Sequence, residues 1–158
     1  MSGGISNIYI EGVLGELKLK YWNGVYSSDT IPQFQEENFA IIVNFSKVNE
    51  TGSHFVALAR IEDEVFLFDS LATPKDKLPR TIYNFMNQTK ARTLLNFPIQ
   101  DIISEYCGFY TIYFILLLSV SPKLRHKFSP SMFSLINLKG NDDICISLIQ
   151  QMIDEIKQ

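Results

Sequence analysis

An α+β domain is the fold class that the sequence predicts. Three observations carry that expectation. β-prone runs cluster in residues 39–69, helical apolar spacing follows over 75–90 and 142–157, and the stretch from Cys107 to Val120 is almost wholly apolar. Strands grouped in one part of the chain, with helices grouped around them, make a mixed or antiparallel sheet packed against helices. The all-apolar stretch is then a central buried helix. At 158 residues the chain has one domain's length, 1–158, with enough material for a substantial core. No repeat, low-complexity tract or linker divides it.

The elements follow in order. Ile5, Ile8, Ile10, Val13 and Leu14 suggest a short N-terminal helix over 5–14. Residues 19–35 carry the turn signals Tyr-Trp-Asn-Gly and Ile-Pro-Gln-Phe and read as irregular. Phe39–Phe45 reads as a central strand, and Ser46–Gly52 as a polar loop. His54–Arg60 and Glu64–Asp69 are strands by composition, and the short Ile61-Glu62-Asp63 between their cores predicts a hairpin, although Glu-Asp is a mediocre turn pair. Ala72-Thr73-Pro74 ends the sheet run. Leu78, Ile82, Phe85 and Met86 then place an amphipathic helix over Lys75–Lys90. Thr93–Phe97 reads as a strand closed by Pro98, Cys107–Val120 as the buried helix closed by Ser121-Pro122, and Asp142–Lys157 as a second amphipathic helix with Cys145, Leu148, Ile149, Met152, Ile153 and Ile156 on one face.

Composition excludes several classes. Hydrophobic residues make up 46% and charged residues 20%, unlike a disordered chain. The net charge of −3 and pI of about 5.4 give no electrostatic footprint for nucleic acid. The longest apolar run, about 14 residues with Thr111 and Ser119 inside it, suits a core helix and not a membrane span. Two cysteines, Cys107 and Cys145, form neither a disulfide framework nor a zinc pattern, so a reducing compartment and no metal or cofactor are expected. The N-terminus lacks a secretory pattern, so the Asn-x-Ser/Thr matches at Asn44, Asn49 and Asn87 read as chance.

Cys107 opens the buried helix. A helix N-terminus offers partial positive charge and unpaired N–H groups, which favour a thiolate. A cysteine nucleophile needs a base, and the chain has two histidines. His126 lies in a basic, surface-like turn, whereas His54 opens a strand beside the loop Thr51-Gly52-Ser53. Asp69 closes the other strand of the same hairpin. With a two- or four-residue turn, facing residues have numbers summing to an odd value, and 54 + 69 is odd. His54 and Asp69 therefore share a face at the hairpin's open end, provided that no bulge intervenes. The Cys107 backbone N–H and the Gln100 amide are candidate oxyanion donors. Gly108 allows close approach. Taken singly, each signal has a bland reading: a lone buried cysteine is more often packing than nucleophile, and Cys145 on an apolar helix face reads as core.

Together these residues carry a resemblance. Gly52-Ser53-His54-Phe55, Phe66-Leu67-Phe68-Asp69-Ser70, and Gln100 seven residues before Cys107-Gly108-Phe109-Tyr110 resemble the adenain family of viral cysteine proteases. Tyr21-Trp22-Asn23-Gly24 and Ala40-Ile41-Ile42-Val43-Asn44 are similar to it as well, so the likeness spans residues 20–120. The related ubiquitin-like-protein proteases share the catalytic order. In size the chain resembles the maturation proteases of virophages and Maverick-type elements, Mavirus-like ones nearest. The resemblance implies an adenain-like fold. It makes Cys107 the nucleophile, His54 the base, Asp69 its orienter and Gln100 the oxyanion donor, with Phe55, Trp22, Asn23, Gly24 and Gly108 at the substrate. It further implies cleavage of capsid-protein precursors beside small residues, in the virion and the infected-cell cytoplasm, and a monomer is expected.

Three departures stand out. Phe55 takes the place of a frequent Trp, and Asp69 that of adenain's Glu. No cysteine between Asp69 and Cys107 matches the one that tethers adenain's activating peptide, and the acidic balance speaks against activation by DNA. The same four residues also fit an isopeptidase of ubiquitin-like modifiers or an acyltransferase. An inactive scaffold of the same fold is the non-enzymatic alternative.

Overall fold

The computed structural model describes residues 4–88, 92–96 and 98–158. Strands β1 (Trp22–Ser27), β2 (Phe39–Asn44), β3 (Phe55–Ile61), β4 (Glu64–Asp69) and β5 (Arg92–Asn96) form one sheet in sequence order. β2–β3–β4 is an antiparallel meander, and β1 and β5 flank it as parallel neighbours. Four α-helices accompany the sheet among the described residues: α1 (Asn7–Glu16), α2 (Arg80–Met86), α3 (Cys107–Ser119) and α4 (Asn141–Lys157). The molecule is thus α+β with a mixed sheet.

Helices cover both faces of the sheet, which is why β2 and β3 are apolar without alternation. On one face Ala40, Ile42, Phe55, Ala57, Ala59 and Phe68 meet α1, α3 and α4. On the other Phe39, Ile41, Val43, Val56, Leu58, Val65 and Leu67 meet Ile82, Phe85 and Met86 of α2. The three alanines thin the sheet under α3, so its bulky Tyr110, Tyr113 and Phe114 are fully buried there. Phe114 stacks on Phe68 with centroids 4.9 Å apart. α4 closes the layer with Cys145, Leu148, Ile149 and Met152.

Several expectations need correction. Residues 22–27, within the stretch expected to be irregular, form β1. Gly24 at φ 110° sits where the β1–β2 register shifts, and this bulge hides the strand's period. Phe39–Asn44 is an interior strand of the sheet, as expected, but Phe45 falls outside it. The helix expected over Lys75–Lys90 is shorter. A 3-10 turn at Lys75–Lys77 stops at extended Leu78, and α2 begins after Pro79, because a proline disfavours helical geometry in the residue before it. Residues 89 and 90 of that expected helix, and Phe97 of the expected strand 93–97, lie outside the described residues. α1 starts at Asn7, later than expected, because the Ser6 hydroxyl accepts the Tyr9 N–H at 3.2 Å as its cap.

The β3–β4 hairpin is the element that positions the site. Its pairs run without a bulge from Ala57–Phe68 to Ile61–Glu64, every pair summing to 125. Glu62 and Asp63 make the two-residue turn with φ of 50° and 64°, the left-handed values of a type I′ turn. Neither residue suits them well. Replacing Glu62-Asp63 by Asn-Gly is therefore expected to raise stability by about 1 kcal/mol, read as a higher urea midpoint at unchanged slope.

Candidate active site

The four candidate residues converge where several elements end. His54 immediately precedes β3, Asp69 is the last residue of β4, Gln100 follows β5 in a loop, and Cys107 is the first residue of α3. His54 and Asp69 have the strand parity of Val56 and Leu67, on the α2 side, while α3 packs on the opposite face. The His54 ring meets Phe45 of the α2-side core edge-on at 5.0 Å. The site is accordingly built at the rim of the sheet, where both sides can be reached.

His54 Nε2 lies 2.7 Å from Asp69 Oδ1. Asp69 is 0% exposed, and both of its oxygens also accept backbone N–H groups: Leu71 donates to Oδ1 and Thr73 to Oδ2, each at 2.9 Å. A turn with Ala72 at φ 51° presents these donors. Burial pushes the Asp69 carboxyl up, but the hydrogen bond and charge of His54 and the bonds from Thr73 and Leu71 outweigh it, so the pKa falls below the ordinary 3.8. Burial likewise opposes charge on His54. The hydrogen bonds and negative charges of Asp69 and Cys107 overcome it and raise the imidazole from 6.5 to about 9. Cys107 lines the same cleft as His54 and is one of the groups that raise its pKa.

Gln100 is 3% exposed and tied at both ends of its amide. Oε1 accepts from Ser70 Oγ at 2.6 Å, and Nε2 donates to Ser104 O at 2.8 Å. These bonds fix which end is nitrogen and leave one Nε2 hydrogen for another acceptor. Ser70 O also accepts the backbone N–H groups of Ile99 and Gln100, so the residue after Asp69 anchors the whole Gln100 segment. Ser104 Oγ donates to Asp142 Oδ2 at 2.8 Å, and Tyr110 OH donates to Asp142 Oδ1 at 2.8 Å, joining that loop to α4 and α3. The first N–H groups of α3 have no acceptor within the helix.

A cleft of ≈ 650 Å³ holds His54, Gln100, Cys107 and Gly108, with Phe55 at its wall. Phe55 is mostly committed to the core beneath. Trp22, Asn23 and Gly24 are not brought to this cleft; they lie on β1, the sheet's outer strand. The unexpected wall is the segment Gly4–Ile8. A Cβ on Gly108 would lie 2.6 Å from Ile5 Cγ1, so the room that this glycine makes is taken up by Ile5. A second hollow of ≈ 430 Å³, on the α2 side by Arg60 and Phe85, contains none of the four residues.

The other cysteine and histidine stand apart. Cys145 is buried in α4, and burial, with the Asp142 charge, pushes its thiol well above the ordinary value. His126 is exposed on a 3-10 turn, Arg125–Phe128. Sequence reasoning missed Ser70, Ser104 and Asp142, and with them the anchoring of Gln100. Among the described residues no cluster of His, Cys, Asp or Glu could hold a metal ion, and no helix is long and apolar enough to cross a membrane. No family model matches the chain, and no curated protein does.

The pKa shifts set the pH behaviour. His54 has its folded value raised, so its contribution to stability is complete below 6.5 and is lost as the pH rises through about 9. Asp69 has its folded value lowered, so its contribution is complete above 3.8 and is lost on acidification through the depressed value. Both contributions are complete between pH 3.8 and 6.5. Asp69→Asn is expected to lower the His54 titration midpoint seen by NMR and to shrink the stability difference between pH 6 and pH 10. It also costs about 1–3 kcal/mol at neutral pH, because a single amide oxygen cannot serve both the Leu71 and Thr73 donors and His54. An unchanged His54 midpoint in the variant would contradict the assignment.

Proposed function

We propose that this protein is a cysteine endopeptidase of the adenain type that cleaves viral capsid-protein precursors. The observation that carries the reading is the 2.7 Å bond between His54 and a fully buried Asp69, beside Cys107 at the start of α3 and within an open cleft. The capsid precursor as substrate, and the virion and infected-cell cytoplasm as setting, rest on the sequence resemblance.

The residues support a complete cycle. His54 takes the proton of Cys107 Sγ, and Asp69 balances the imidazolium. The sulfur attacks the carbonyl carbon of the scissile peptide. The resulting oxyanion accepts from the free Nε2 hydrogen of Gln100 and from the Cys107 backbone N–H. Collapse breaks the C–N bond, and His54 gives its proton to the leaving amine. His54 then deprotonates a water, which hydrolyses the thioester and regenerates Cys107.

Digestion of a capsid-protein precursor, with the products weighed by mass spectrometry, tests the reading. Cys107→Ala is expected to abolish cleavage, Cys145→Ala to leave it largely intact, and Gln100→Ala to lower kcat about 10²–10³-fold. Undiminished cleavage by Cys107→Ala would overturn the proposal.

A further inference from the structure

Asn44, the last residue of β2, stands in the cleft wall, and its side chain is closely held. It is 6% exposed. Its Oδ1 accepts the backbone N–H of Ser46 at 2.8 Å and that of Ser53 at 3.3 Å. Two N–H donors on one atom identify that atom as the oxygen and fix the amide plane. Nδ2 is thereby turned toward Gly52, and it has no hydrogen-bond acceptor among the described residues. It is not sealed in the interior either, because the one buried and unpaired side-chain polar atom among the described residues is Arg60 Nε.

Gly52 explains why this donor stays open. Its φ is not in the left-handed region, so its backbone does not require glycine. A Cβ there would lie 2.9 Å from Asn44 Nδ2 and 3.7 Å from Cγ, over the amide itself. Asn44 and Gly52 both line the cleft that contains His54 and Cys107. The loop that carries Gly52 is held in place, since Ser46 Oγ donates to Thr51 O at 2.7 Å and lies 3.0 Å from Ser53 Oγ. A rigid, neutral N–H donor in a cleft, kept uncovered by a missing side chain, matches the need of a peptide backbone, whose carbonyls lose their water on binding and require replacement donors.

We infer that Asn44 is a substrate-binding residue whose Nδ2 donates to a backbone carbonyl of a peptide passing over Gly52. This rests on the endopeptidase reading and adds to it a contact outside the four catalytic residues. Gly52 serves as the gap through which the peptide main chain reaches the amide.

The test measures binding without relying on turnover. The peptide aldehyde N-acetyl-Leu-Ala-Gly-glycinal protects Cys107 from iodoacetamide, with modification of the Cys107 peptide followed by mass spectrometry. Acetaldehyde, which has no peptide carbonyl, is the control. Asn44→Asp keeps an acceptor for Ser46 and Ser53 but replaces the donor by an oxygen. Gly52→Ala leaves Asn44 in place and covers it without adding charge. Each variant is normalised to its own alkylation rate without aldehyde and checked for an unchanged Tm. The expected result is about tenfold weaker protection by the peptide aldehyde in Asn44→Asp, and about fivefold or more in Gly52→Ala, with equal protection by acetaldehyde throughout. Peptide protection within twofold of the unmodified protein in Asn44→Asp would overturn this inference and leave the endopeptidase reading standing. A peptide aldehyde no better than acetaldehyde on the unmodified protein would overturn both.

Discussion

The Asp69 carboxylate is the junction on which the site depends. A carboxylate with no solvent exposure is costly unless each oxygen is hydrogen-bonded, and here His54, Leu71 and Thr73 supply the donors. Its burial is also what makes it effective, because a fixed charge in a poorly hydrated place acts strongly on the neighbouring imidazole. The next residue extends the same anchoring, since Ser70 holds the Gln100 amide and the backbone of Ile99 and Gln100. One dipeptide at the end of β4 thus orients both the candidate base and the candidate oxyanion donor. Their relative geometry is inherited from a strand end and not from a loose loop.

The remaining candidate, Cys107, is placed by hydrophobic packing. α3 is apolar on all sides because it is enclosed by the sheet, α1 and α4. The alanines at 40, 57 and 59 thin the sheet beneath it, and Phe68 on β4 stacks against Phe114 on α3. The strand that ends in Asp69 is therefore packed directly against the helix that begins with Cys107. Tight interiors transmit displacement instead of absorbing it, so Cys107 and Asp69 share one rigid body.

Much of this could be read from sequence, and the reasons differ by residue. The hairpin parity works because a two-residue turn and an unbulged ladder leave only one alternation, which puts 54 and 69 on one face. The buried helix is legible because nothing but burial tolerates such a run. β1 is not legible, because its partner is parallel and distant in sequence and Gly24 interrupts its period. The shortened α2 was legible in principle: Pro79 stands inside the periodic stretch, and apolar spacing alone does not override a proline. The wall formed by Gly4–Ile8 was not, since the contact of Ile5 with Gly108 joins opposite parts of the chain, and a glycine says only that something comes close. Asn44 showed a glycosylation-like triplet and a place in the family-like run Ala40–Asn44, but no contact geometry, which depends on N–H groups two and nine residues away.

Asp142 shows how far the site extends into the core. It sits in the first turn of α4, where a carboxylate reads as a partner for the helix dipole. In the fold it also accepts from Ser104 and from Tyr110, and Ser104 in turn accepts from Gln100. Burial, reinforced by Asp142, pushes the Tyr110 hydroxyl far above its ordinary value, so it stays protonated and remains a donor. The loop between Gln100 and Cys107 is thus held from two sides, by Ser70 at the sheet and by Asp142 on α4, and Asp142 is itself fixed by Tyr110 on the very helix that Cys107 opens. A preorganised oxyanion donor requires that its second hydrogen point the same way before and during reaction. The chain from Gln100 through Ser104 to Asp142 supplies that constraint to the Gln100 amide, and its far end, Asp142, lies outside the cleft.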